Sequence, residues 1–146
     1  MRNTKHIIIV LLLLSILAIN AKAQSIDAID QDYNKCKIEH NTAPGMSQCA
    51  YVAYGKWDSE MNRNYQRILK LLKKPADKSL FTTAQNSWKT FRDAEFAAYN
   101  SMFNRPGDKW TILRLESRIN IVRVRTLQLY QYYDSLKNIS KELSKK

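Results

Sequence analysis

Glycine and proline are scarce in this chain, three of each in 146 residues. The prolines are Pro44, Pro75 and Pro106, and the first and last are each followed by glycine. Proline ends helices and Pro-Gly marks a turn, so these positions cut the chain into four pieces with few internal breakers. No piece shows strand alternation of useful length, and no internal repeat or low-complexity linker occurs. Histidine is scarcer still, with only His6 and His40. A nucleophile–histidine arrangement would have to use His40, which lies between two cysteines. There is no glycine-rich phosphate loop, no HExxH and no CxxC. Asp93 and Glu95 stand two apart, so on a helix they point to different faces and cannot flank one glycosidic bond. Asp58 and Glu60 fail on the same ground. The expectation is a protein that is not an enzyme and needs no cofactor.

Acidic residues are the minority charge: 13 against 24 basic ones, a net +11. Arg2 and Lys5 precede an apolar run from Ile7 to Ile19, broken only by Ser15. Ala21-Lys22-Ala23 is a small-x-small cleavage site, so residues 1–23 read as a signal peptide and the mature chain starts at Gln24. The run is too short to span a bilayer comfortably; an uncleaved anchor is the alternative. No cysteine at the cleavage point signals a lipid anchor. The product is expected in the periplasm or outside the cell. Arg2, Lys5 and Lys22 leave with the leader, and the mature charge is +8. A basic exported chain faces anionic surfaces or acidic proteins, though the same charge also serves solubility.

The two cysteines, Cys36 and Cys49, both lie in the exported part. An even count in an oxidising compartment favours one disulfide, worth about 3 kcal/mol for a loop of this size. With His40 the only mature histidine, these two thiols do not fill a tetrahedral metal site.

Ser25 to Asn41 reads as a short helix with Ile26, Ile29, Tyr33, Cys36 and His40 on one face. The second piece, from Ser47 as N-cap to Lys74, carries a long apolar stripe through Cys49/Ala50, Ala53/Tyr54, Trp57, Met61, Tyr65, Ile68/Leu69 and Leu72. Gly55 inside it predicts close approach of another helix, at a cost of about 1 kcal/mol relative to alanine. The third piece, from Asp77 as N-cap to about Phe103, has the stripe Leu80, Ala84, Trp88, Phe91, Glu95, Tyr99, Met102. The fourth runs from Asp108 without a breaker. Ile112, Leu115, Ile119, Val122, Leu129, Tyr133 and Leu136 make one face; Leu113, Ile121, Val124, Leu127 and Tyr130 make a second. A helix apolar on two sides is central in its bundle or has a partner. The fold expected is all-α: three long antiparallel helices plus a short N-terminal helix tethered by Cys36–Cys49. It spans 24–140, with 141–146 as a basic tail.

Arg114, Arg118 and Arg125 form a stripe on the last helix, with Arg123 off it. Such a stripe is usually solvated, or pairs with Asp58, Asp93 and Glu95. The aromatics, Trp110 among them, are mostly core by spacing; Tyr51 and Tyr132 lie off the stripes and are better interface candidates. Export and the lack of any nucleic-acid motif argue against DNA or RNA as partner.

The ordered set Cys36; Met46, Cys49, Ala50; Asp58, Met61, Asn62, Tyr65; Trp88, Phe91, Arg92, Asp93, Ala94, Glu95; and Arg125, Thr126, Leu129 resembles the LprI-type lysozyme-inhibitor family of small exported bacterial helical domains. The match covers Cys36 to Leu129, and W-x-x-F-R-D-A-E is its most specific part. The resemblance makes Asn62, Tyr65, Trp88, Arg92, Asp93, Glu95 and Arg125 a scaffold signature, with Arg92 and Glu95 expected to pair across to the last helix near Arg125. Family members often carry a second cysteine pair; here those positions are Phe96 and the vicinity of Ser117. The resemblance implies inhibition of a lysozyme or another peptidoglycan-cleaving enzyme. Inhibitors of such enzymes need a protruding polar element. Arg105, with Phe103 and Asn104 at the Pro106-Gly107 turn, is one candidate; the Glu39–Gln48 disulfide loop is the other. The competing reading is a basic module that holds a membrane surface or an acidic protein through Arg114, Arg118, Arg125 and the tail.

Overall fold

The computed structural model describes residues 28–143, so the expected signal peptide (1–23), positions 25–27 of the expected first helix and positions 144–146 of the expected tail lie outside the described residues. Residues 28–39 form α1. It is followed by α2 (Ala43–Leu71), α3 (Pro75–Met102) and α4 (Asp108–Leu143). Short turns make successive helices antiparallel, and no strand occurs among the described residues. The expected all-α architecture is present.

Two prolines open helices rather than break the chain. Thr42 lies in extended backbone, and its hydroxyl accepts from the Gly45 N–H at 3.3 Å. Pro44 follows in the first turn, where its fixed φ suits a helix and its missing N–H needs no partner. Pro75 does the same for α3, leaving Asp77 in the first turn, where its charge suits the dipole. Ser47 and Asp77 are therefore inside their helices and not caps, as the sequence reading had them. Pro106 alone lies in an open turn, with Gly107 at φ +111°.

The core is a seam between α2 and α4. Ala50, Ala53, Trp57, Met61, Asn64 and Ile68 recur at steps of three and four on α2; Leu115, Ile119, Val122, Thr126 and Leu129 do so on α4. Such spacing keeps two helices facing each other along their length. Trp57, Met61, Val122 and Leu129 have no solvent exposure, each worth about 1.5–3 kcal/mol. The Thr126 hydroxyl lies 2.8 Å from the Val122 carbonyl and 3.1 Å from that of Trp57, so it spans the seam. At 36 residues α4 is about 54 Å long and outruns its neighbours. Residues 141–143 of the expected tail are its last helical turn.

Helix α3 stands off this pair on large side chains. Phe81, Trp88 and Phe96 reach the core, and Gln85 is buried between them. Leu80, Phe91 and Met102 are exposed, so the predicted α3 stripe is displaced by one residue along much of its length. The reason is chemical: the inward positions include the polar Gln85 and Arg92. Gln85 Oε1 accepts from Arg125 Nε at 3.0 Å and Nη2 at 2.8 Å. The expected partnership of Arg92 and Glu95 with the last helix near Arg125 is thus replaced by a neutral amide. Arg92 instead binds Asp93, with Asp58 3.9 Å away, and shares the Trp88 ring with Arg125.

Helix α1 is strapped on by the Cys36–Cys49 disulfide, with Cα atoms 5.8 Å apart, and by three ion pairs: Asp32–Lys56, Asp30–Arg123 and Lys37–Glu116. The α1–α2 turn is tight. A Cβ on Gly45 would lie 2.8 Å from the His40 carbonyl oxygen. Gly55, for which close approach was expected, faces open space. The second apolar face of α4 is explained by its position against α1, α2 and α3, although Val124 remains exposed.

Two outcomes follow. Gln85→Leu keeps volume but leaves Nε and Nη2 of the buried Arg125 without an acceptor, Gln128 holding only Nη1, and should cost about 2–3 kcal/mol in chemical denaturation. Burial, together with the Glu116 carboxylate that accepts from it at 2.9 Å, pushes the Tyr33 phenol above its ordinary value. The folded state therefore favours the neutral phenol, and this stabilisation is present below about pH 10 and is lost as pH rises beyond it. Tyr33→Phe should flatten that alkaline limb when denaturation midpoints are measured across it.

Candidate protein-binding end of the bundle

The α3–α4 turn is built on three stacked rings. Phe103 lies between Tyr99 (centroids 5.9 Å apart, planes at 10°) and Trp110 (6.2 Å, 17°). Trp110, expected in the core, is half-buried at this tip because the turn folds the start of α4 back against the end of α3. Backbone bonds from Arg105 N to the Phe103 oxygen (2.9 Å) and from Trp110 N to the Gly107 oxygen (3.1 Å) close the loop. Arg114, on α4, donates Nη1 to the Phe103 carbonyl and Nη2 to Thr111 at 3.0 Å. The turn is therefore pinned from below by a charged group.

Arg105 projects from this footing. Its guanidinium carbon is 5.1 Å from the Trp110 ring centre, and Lys109 Nζ is 5.6 Å from the same ring. Arg105 has no carboxylate partner among the described residues. Stacking on an indole orients a guanidinium while leaving its N–H groups available. Asn104 is exposed beside it.

The other candidate element comes to the same end. Ala43 and Met46, within the Glu39–Gln48 disulfide loop, face Asp108, Lys109 and Ile112 across a groove of about 630 Å³. Two segments more than fifty residues apart in sequence thus share one surface, which no local pattern could announce.

The remaining candidates lie two to three turns further along the bundle. Tyr51 is exposed at the mouth of a cavity of about 310 Å³ between α2, α3 and α4. Tyr54, Arg92, Asp93, Phe96 and Arg118 line it. Tyr54 and Phe96 meet edge to face at 6.1 Å. Burial raises the Tyr54 phenol, Asp58 adds to this, and Arg92 and Arg118 work against it. Arg118 donates to Asn100 Oδ1 at 2.9 Å. Arg125, grouped with Arg114 and Arg118 in one stripe, is buried, and burial lowers its pKa. Tyr132 is exposed at the opposite end of the bundle, beside Leu80 and Leu136.

The signature residues are spread over the scaffold. Asn62 donates to Asp58 at 3.1 Å, Tyr65 donates to Thr82 at 3.1 Å and stacks on Phe81, and Trp88 lies between the two arginines. Asp93 is paired with Arg92, and Glu95 makes no ion pair among the described residues. The described residues hold no cluster of His, Cys, Asp and Glu fit for a metal ion. Sequence reasoning missed Gln85 and the footing of Tyr99 and Trp110. A clue to the footing was present in Phe103 and Trp110, which flank the Pro-Gly turn.

The family model described as lysozyme inhibitor LprI matches residues 34–129. This span takes in both cysteines, the α3–α4 turn and Arg125. No curated protein and no solved structure matches the chain. The chain belongs to the LprI lysozyme inhibitor family.

Because Arg114 holds the turn from within, Arg114→Ala should speed amide hydrogen exchange at Asn104 and Arg105 by about tenfold while leaving exchange along the α2–α4 seam unchanged.

Proposed function

We propose that this member of the LprI family is an exported inhibitor of a lysozyme or other peptidoglycan-cleaving enzyme, and that Arg105 is the group it places in the enzyme's cleft. The observation that carries the reading is Arg105 standing on Trp110 with no carboxylate partner among the described residues, on a turn fixed by stacked rings. A cleft that cuts glycosidic bonds presents carboxylates, and an unpaired guanidinium held in a fixed direction matches one at little entropic cost. The groove formed with Met46 and Ile112 would provide apolar contact around it.

Family membership makes this a lysozyme-inhibitor-like protein and argues against an enzymatic role. Charge bears on which class of enzyme fits best. A mature chain at +8 is slowed in meeting a strongly basic lysozyme, so a neutral or acidic hydrolase of the envelope is the better match. The alternative, a basic module for membranes or acidic proteins, has fewer carriers than the sequence suggested. Arg125 is buried and Arg114 is committed to the Phe103 carbonyl.

Purified mature protein assayed against muramidases of differing net charge should inhibit the less basic ones. Arg105→Ala should weaken that inhibition by about thirtyfold, the size of an interface hot spot, at unchanged thermal midpoint. Absence of inhibition at micromolar excess over every enzyme tested would sink the reading.

A further inference from the structure

Because α3 stands off the α2–α4 pair, Phe96 borders a cavity rather than a packed seam. Its volume of about 310 Å³ is at the lower end of the range for small-ligand sites, about 300–1,000 Å³. The two guanidinium groups on its wall differ in their charge balance. Arg92 is answered by Asp93 at 2.7 Å and by Asp58 at 3.9 Å. Arg118 has only the neutral Asn100 amide oxygen, and no carboxylate within ion-pair distance among the described residues. Its Nε is shut off from solvent with no acceptor. What recommends Arg118 as an anion partner is therefore its missing carboxylate, since a charge-assisted hydrogen bond to a guanidinium is among the stronger ones. Both guanidinium carbons lie over the Phe96 ring, at 5.8 Å for Arg92 and 5.2 Å for Arg118. Leu115 and Tyr54 supply the rest of the apolar wall.

We propose that this cavity binds a carboxylate carried on an apolar stem, the carboxylate on the Arg118 fork and the stem against Phe96, Leu115 and Tyr54. The charge count selects the class of anion. Among the lining residues two guanidiniums face one carboxylate, Asp93, and Asp58, 3.9 Å from Arg92, adds a second negative charge behind them, so the site suits a monoanion better than a phosphate dianion. The small volume suits an acid the size of one amino-acid side chain with its neighbouring atoms. The acid is either free or presented by a partner chain. The site does not depend on Arg105 or on inhibition of a lysozyme.

The test uses the mature chain and N-acetylphenylalanine, with its primary amide as the neutral counterpart. Calorimetric or NMR titration should show the acid binding at least about tenfold more tightly than the amide. Nuclear Overhauser contacts in the wild-type protein should run from the probe ring to Phe96 and Tyr54, a readout that needs no variant. Arg118→Gln, with its thermal midpoint checked, should remove the preference for acid over amide, and Arg118→Lys should restore part of it. A blocked peptide with one internal Glu, set against its Gln counterpart, separates the two sources. Preference for the Glu peptide assigns the acid to a partner's side chain; binding of the free acid alone assigns a small molecule. Equal binding of acid and amide, contacts elsewhere on the protein, or no binding of either probe at about 10 mM overturns the site.

Discussion

A buried guanidinium decides where α3 can lie. Arg125 sits on α4 at the edge of the seam, and a charge there must find hydrogen-bond acceptors within the protein. It finds Gln85 through two N–H groups, at 3.0 and 2.8 Å, and Gln128 through a third at 2.6 Å. Fixing Gln85 fixes the rotation and register of α3. Trp88 then falls against Arg125, Arg92 against Asp58, and Phe96 against Tyr54. One further turn along, Tyr99 reaches Phe103 and sets the footing of the tip. The cavity and the projecting Arg105 are both downstream of this one contact.

The α2–α4 seam was legible because its positions are almost all apolar and recur at helical steps. Trp57, Met61, Ile68, Leu115 and Val122 were all placed correctly on that ground. Helix α3 was not, because its inward row alternates apolar and polar: Phe81, Gln85, Trp88, Arg92, Phe96. A search for apolar neighbours slides off such a row onto Leu80, Phe91 and Met102, which are exposed. The error about Arg125 has the same root. A carboxylate was expected opposite an arginine, but an amide acceptor spares the desolvation of a second charge. At the tip, Pro106-Gly107 revealed the turn and made Arg105 a candidate. Its indole support was hidden, because it depends on how two helix ends meet. The prolines did divide the chain into its four helices, but the caps were placed too late, at Ser47 and Asp77, because proline is at home in a first helical turn and so lies inside the helix it opens.

The disulfide and Phe96 show two ways of holding helices in place. Cys36–Cys49 joins α1 to the start of α2, where Gly45 allows the turn to close against His40. On the α3–α4 side, at or near the positions where the family resemblance led one to expect a second pair of cysteines, this chain has Phe96 and Ser117. Ser117 turns its hydroxyl back to the Leu113 carbonyl of its own helix at 2.9 Å. Phe96 meets Arg92, Arg118 and Tyr54 instead of a covalent partner. Side chains of this size keep the helices apart as well as together.

The pairing of α2 with α4 also fixes what α3 has to span. Trp57 and Thr126 meet across the seam although 69 positions separate them in sequence. The whole of α3 lies in the loop between, so the closely packed α2–α4 seam closes over a helix that packs much less closely on α4. Closing a loop of that length costs chain entropy before the seam returns any stabilisation. A preformed α3 shortens the effective tether, since a helix advances only about 1.5 Å per residue. As a formed helix, α3 is a stiff spacer that carries the chain from the end of α2 back to the start of α4, so that α2 and α4 meet side by side.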